Sequence, residues 1–324
     1  MSQEPLPGVI DSLGGGFSVV NRRLWLAALP LILDLVLWLS PPVTAGPLAE
    51  RAISSVERTV EQAAGQRPLD EQQRQQSQEQ WAQFQAQAKA INLLDLVTWY
   101  LPSLAGSIQA AGDIGAAAPA EIESWGALGG IVLGLALAGF LAVALFLGPL
   151  AQAVRDGRNR LGELRRELLP ATARFGGYVM LVGALFLLVG ITLALFIAIL
   201  AAVAAPLAAL VVFLATALAI WALLYLSLAD KALFLSRSSP AEAIRRSMSL
   251  VKGHFWPALG LFVLVNLILQ GTPLAWRLIT GHPVGALVAM VGNAYIGTGV
   301  LAGTFVFYRD RAAIPGVPAS ERSG

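Results

Sequence analysis

One carboxylate stands inside an apolar run, Asp34, within Leu24 to Pro41. An acid at the centre of a bilayer costs about 2.5 to 3.5 kcal/mol on insertion scales, so it needs a partner, a proton or water. Three more polar side chains fall at comparable depth in later apolar runs: Thr216, Asn266 and Asn293. With Asp34 they form a candidate mid-membrane polar cluster, and two chemistries are open to it. A proton or cation site would serve a transporter or channel for a small solute or ion. The alternative is structural: amides that hydrogen-bond between helices contribute only about 0.6 to 2 kcal/mol each, with Asp34 held neutral among them. One acid without a second titratable group favours the structural role.

A second set of residues is suited to binding. Arg165, Arg166, Arg245, Arg246 and Lys252 lie on basic amphipathic stretches beside apolar runs. A well-placed cation there attracts anionic lipid by about 1 kcal/mol. Catalysis has no comparable set. No HExxH, P-loop or nucleophile-elbow pattern occurs, and Gly14-Gly15-Gly16 lacks the spacing that cradles phosphate. The chain has no cysteine, which excludes a disulfide framework, a thiolate metal site and a cysteine nucleophile together. His254 and His282 are expected on opposite sides of the membrane, where they would share no metal. No catalytic residue, cofactor or metal is expected.

The elements that must position these residues are membrane-spanning helices. Hydrophobic residues make up 56% of the chain and charged residues 13%, against about 25% charged in an ordinary soluble domain. Mean hydropathy is +0.67. The formal net charge is only +2, so nucleic acid is not an expected partner. Windows of about 20 apolar residues, the length a bilayer core demands, predict about six spans in an all-α integral membrane protein. They are Leu24 to Pro41, Ala127 to Val154, Tyr178 to Ala204, Leu207 to Leu228, Trp256 to Ile279 and Val284 to Tyr308. The first is the shortest and carries Pro30 as well as Asp34. It lacks a cleavage pattern and is expected to stay attached.

Positive loops stay cytoplasmic. Sixteen of the 22 Lys and Arg residues fall before the first span, between the second and third, between the fourth and fifth, or after the last. Both termini are therefore expected in the cytoplasm, with residues 1–23 and the tail 309–324 on that side of the cell membrane. The outer loop, 42–124, carries two helical stripes. Ile53, Val56, Val60 and Ala63 form one; after Gly65 and Pro68, Trp81, Phe84, Ala88, Ile91 and Leu94 form the other, opposite a Gln-rich face. This predicts an extracytoplasmic helical hairpin that packs on itself or on the span ends. A protein partner at 46–100 is the second use for it. Asp95 and Pro102 argue against a span over Ile91 to Ala111.

Ser239, Pro240 and Glu242 predict a helix over 239–253 that opens with a capping box. Its apolar stripe Ile244, Met248 and Val251 and its charges Arg245, Arg246 and Lys252 suit the headgroup plane. A second basic stretch, 155–174 with Leu161, Leu164, Leu168 and Leu169, precedes the third span. A weaker one, Val9 to Arg23 with Ile10, Leu13 and Phe17, precedes the first. Such elbow helices before spans 1, 3 and 5 suggest a threefold unit. Gly130 and Gly134, and Gly299 and Gly303, have the spacing that lets helices approach closely, more plausibly within one chain than between two.

The passage Ser239-Pro240-Ala241-Glu242-Ala243-Ile244-Arg245-Arg246-Ser247 through Lys252-Gly253-His254-Phe255-Trp256 resembles the signature of a broad group of prokaryotic multi-span proteins. These are similar to the membrane domain attached to some glycerophosphoryl diester phosphodiesterases. The opening Gly16-Phe17, Asn21-Arg22-Arg23-Leu24-Trp25 and Leu29-Pro30 is in keeping with that group. The resemblance covers spans and elbows, not the outer loop. It implies a membrane module without the phosphodiesterase domain, so that activity is not carried over. The expected function is a non-enzymatic membrane module that interacts with lipid or scaffolds an assembly, its partners being anionic headgroups at the cytoplasmic face.

Overall fold

A computed structural model describes residues 6–64, 82–83, 86, 91–104 and 119–312. The protein is an all-α membrane protein. Five helical stretches are long and apolar enough to cross a bilayer: Trp125–Asp156, Leu161–Ala201, Pro206–Leu235, Phe255–Trp276 and Pro283–Arg311. The sixth candidate, Leu24–Leu39, is shorter. It consists of a 3₁₀ turn, Leu24–Ala27, and helix α2, Ala28–Leu39. Twelve α-helical residues rise about 18 Å, less than the roughly 30 Å hydrocarbon core. Pro41 and Pro42 stop α2, because proline has no N–H to continue the ladder and disfavours the α conformation in the residue before it.

The chain divides into two compact units. The first comprises the described residues of 1–29, 140–274 and 294–312, and it begins with α1, Val9–Asn21. The Gly8 N–H donates to the Asp11 carboxylate at 2.9 Å and starts that helix. The other labels follow in chain order: β1 Val43–Thr44, α3 Gly46–Ala64, α4 Asp95–Thr98, β2 Ala120–Glu121, α5 Trp125–Asp156 and α6 Leu161–Val203. Then come α7 Ala205–Leu226, α8 Ala229–Leu235, α9 Pro240–Gly253, α10 Phe255–Trp276 and α11 Pro283–Arg311.

Within the first unit, α1 runs antiparallel along the second half of α11. Tyr295 donates to Asn21 Oδ1 at 2.7 Å near one end, and Arg311 donates to the Pro7 carbonyl at 2.6 Å near the other. Between these ties the backbones touch. A Cβ added to Gly16 would fall on the backbone of Gly299 and Gly303, and one added to Gly303 would lie 2.8 Å from Leu13 Cα. This is the close approach that small residues at four-residue spacing allow. Gly130 and Gly134, by contrast, face open space. Ile10 of the expected α1 stripe is exposed, and the buried face is Ser12, Leu13, Gly16 and Val20.

The stretch 155–174 is not a separate elbow. Helix α5 runs to Asp156, Gly157 takes a left-handed φ of 64°, and α6 then continues unbroken for 43 residues through Pro170. At 1.5 Å per residue α6 is about 64 Å long, roughly twice a bilayer core. No described residue of 177–203 is buried, as suits an apolar helix surrounded by lipid. The elbow before the fifth span is a separate helix, α9. Ser239 Oγ accepts from the Glu242 N–H at 3.4 Å, while the Glu242 side chain turns to Arg246 instead of closing the box. Ser239→Ala is expected to lower stability by about 0.5 to 1 kcal/mol, read as a small drop in thermal midpoint in detergent.

The buried face of α9 is Ala243, Ser247, Leu250 and Val251, while Met248 is exposed. The expected stripe is thus displaced, because Ser247 has a use inside. Its hydroxyl donates to the Tyr225 carbonyl at 2.7 Å and accepts from the Leu228 N–H at 3.2 Å. It thereby satisfies backbone groups that the end of α7 leaves open. Every residue of α8 is buried.

The second unit comprises the described residues of 30–139 and 275–293. Two short strands, β1 and β2, pair in parallel with Val43 opposite Ala120 and Thr44 opposite Glu121. Asn92 Oδ1 accepts from the Val43 N–H at 3.0 Å and the Leu94 N–H at 3.1 Å. Leu104 packs with Ala286, Ala289 and Met290, flanked by Leu31, Leu35, Trp38 and Trp276. Helix α3 carries the first expected outer stripe, and Ile53 is buried. Trp81, Phe84, Ala88 and, apart from the exposed Gln83, the Gln-rich face of the second lie outside the described residues, as does the tail 313–324.

Candidate functional site

Asp34 and Asn293 meet on one piece of chain. The Asp34 carboxylate is fully buried and accepts from the Ser103 hydroxyl at 2.5 Å and from the Leu104 N–H at 3.1 Å. Asn293 donates to the Pro102 carbonyl at 3.1 Å. Both side chains thus hold the irregular segment 102–104. The other two members of the expected cluster have different surroundings. Thr216 donates to Val212 O at 2.9 Å and Asn266 to Phe262 O at 2.7 Å, each exposed and each on its own helix.

The cationic set is similarly divided by its partners. Arg165 and Arg166 on α6, and Arg245 and Lys252 on α9, are exposed. Arg246 is half-buried and bound to the Glu242 carboxylate at 2.6 and 3.0 Å. That carboxylate holds the Arg246 guanidinium above its ordinary range. Lys231, one of the cations between the fourth and fifth expected spans, is buried. It pairs with Asp230 at 2.7 Å, and its Nζ lies 5.9 Å from the Phe305 ring centroid. An ion pair out of water needs such a partner. Adjacent charges of opposite sign were the only sign of it in the sequence. Arg309 donates to the Val154 carbonyl at 3.1 Å, and Arg311 stacks over Phe307 at 3.8 Å.

A feature that sequence reasoning missed lies between the end of α5 and the start of α6. A cavity of about 480 Å³ is walled by Trp25, by Ala144 to Arg155 on α5, by Leu161 to Arg174 on α6, and by Phe234 and Arg237. Its charged lining is four arginines, Arg155, Arg165, Arg174 and Arg237, against Glu163 and Glu167. Gln152, buried beside it, accepts from the Arg160 N–H at 2.8 Å and so fixes the turn into α6. Among the described residues no three His, Cys, Asp or Glu side chains gather as a metal site would need. No family model, curated protein or solved structure matches this chain.

Proposed function

We propose that the protein is a non-enzymatic membrane module that gathers anionic lipid, sitting in the cytoplasmic membrane of a prokaryote with both termini inside. The observation that carries this reading is the exposure of Arg165, Arg166, Arg245 and Lys252 beside long apolar helices. Cations so placed each attract an anionic surface by about 1 kcal/mol, within a Debye length of about 8 Å at physiological salt. The proposed orientation puts these residues on the cytoplasmic side, where the bias of Lys and Arg places them. It requires Leu24–Leu39 to cross a thinned bilayer or to be lengthened by its flanks. The resemblance to the membrane domain of glycerophosphoryl diester phosphodiesterases implies a membrane module and leaves its role open, and the outer segment 46–100 is the proposed place for a protein partner. Transport through Asp34 is the less favoured reading, because that carboxylate already accepts bonds from Ser103 and Leu104.

Replacing Arg165, Arg166, Arg245 and Lys252 together by Gln is expected to cut the anionic lipid co-purifying with the protein severalfold. Arg246→Gln alone is expected to change it little, since Glu242 already holds that charge. Lipid analysis of protein extracted in mild detergent reads both. Unchanged anionic enrichment in the fourfold variant would sink the proposal.

A further inference from the structure

We propose that the cavity between α5 and α6 is a binding site for a single anionic phospholipid. The site deepens the lipid-gathering reading and rests on it for the class of ligand, but it is distinct from the exposed cations of α9. Its size falls within the range of small-molecule sites, which runs from about 300 to 1,000 Å³. Its lining has two characters. Trp25, Leu145, Leu161, Leu164, Leu168 and Phe234 supply apolar walls, and Trp25, Leu145 and Leu161 are exposed. The apolar wall therefore opens to the surroundings, where an acyl chain can run outward. The polar end holds two more arginines than acids. Guanidinium groups match phosphate oxygens with paired, charge-assisted hydrogen bonds.

Two details point to an anion at that end. Arg174 donates to the Arg237 carbonyl at 2.9 Å and pairs with Glu167, yet its buried Nε has no acceptor among the described residues. Arg237 itself has φ of 50°, the one described non-glycine residue in the left-handed region. That conformation costs any residue with a Cβ, and such strain collects at ligand sites. The Arg237 guanidinium lies 3.9 Å from Glu163 and 3.8 Å from Glu167, distances too long for well-formed ion pairs. A lipid phosphate competes well against contacts of that length.

The variant that tests this is Gly148→Phe. Gly148 lines the cavity, and an added Cβ there meets nothing within 4 Å. The ring thus enters the space without displacing backbone, and loss of a glycine favours α5 as a helix. Leu168→Trp fills the same space from α6 and serves if the first variant does not fold. Native mass spectrometry of the full chain in mild detergent would be run with phosphatidylglycerol, phosphatidylcholine or inorganic phosphate. The expected result is one phosphatidylglycerol per chain, at least tenfold above phosphatidylcholine, with no retained phosphate. Filling the cavity removes that one lipid, and Arg237→Gly weakens it about tenfold. The fourfold Gln variant and the double variant Arg245→Gln, Lys252→Gln differ at the cavity only by Arg165, so the double variant keeps the single lipid while the diffuse anionic shell falls. Retention of the lipid in folded Gly148→Phe or Leu168→Trp protein overturns the site. So does equal occupancy by phosphatidylcholine, or binding of phosphate as strong as that of lipid. An unchanged diffuse shell in the double variant, with the single lipid lost on filling the cavity, counts against the surface reading and leaves the site standing.

Discussion

Gly16→Leu is expected to destabilise the first unit by about 3 kcal/mol or more, at the upper end of what forced overpacking costs. The side chain would have to occupy the volume of the Gly299 carbonyl and the Gly303 backbone. Neither can yield as a flexible side chain does, so α1 must lift from α11. That movement also strains the ties from Tyr295 to Asn21 and from Arg311 to the Pro7 carbonyl. Native domains are stable by only about 5 to 15 kcal/mol, so a large fraction of the margin disappears. Gly14→Ala is the control: that position is exposed and open, and exchanging glycine for alanine in a helix adds up to about 1 kcal/mol. Denaturant midpoints and elution profiles in mild detergent read both variants. A wild-type midpoint for Gly16→Leu would show that the glycine contact does not hold α1 in place.

The same glycines show what was legible in the sequence. The spacing of Gly299 and Gly303 announces a close helix contact, while nothing in Gly14-Gly15-Gly16 announces its partner. Nothing local pairs two glycine groups almost 300 residues apart, since the match is made by tertiary packing. Five of the six expected spans were legible, because about 20 apolar residues are a physical requirement of the bilayer and leave a direct record in composition, whereas Leu24 to Pro41 yields only the shorter Leu24–Leu39. The cap at Ser239 was legible for the same reason, as a chemical need met within four residues. The face of α9 was misplaced by one step because Ser247 reads as polar, while its hydroxyl is spent on the Tyr225 carbonyl. The count of cations between the fourth and fifth spans includes Lys231 but does not register that Asp230 is buried with it. The cavity was not legible at all. Arg155, Arg165 and Arg174 read as part of a basic elbow, whereas α6 continues without a break and walls the cavity together with α5.

Asp34→Leu is expected to release the segment 102–104 while leaving α2 helical. Leucine suits the apolar helix better than aspartate, so any loss of stability reports the bonds and not the fit of the helix to its apolar surroundings. The Leu104 N–H, buried with its residue, loses the acceptor that holds it. Stranding a buried donor costs about 1 to 3 kcal/mol. Amide exchange at Leu104 should therefore quicken by roughly five- to 150-fold, and proteolysis near Ser103 should rise with it. Asp34→Asn keeps one carbonyl oxygen as acceptor, and most of the protection should return. Asn293→Leu removes the bond to the Pro102 carbonyl and should loosen the same segment, with less than additive effect when combined with Asp34→Leu, because neighbours on one element couple. If Leu104 exchange is unchanged in Asp34→Leu, the carboxylate does not hold this segment. The transport reading of Asp34 then regains ground.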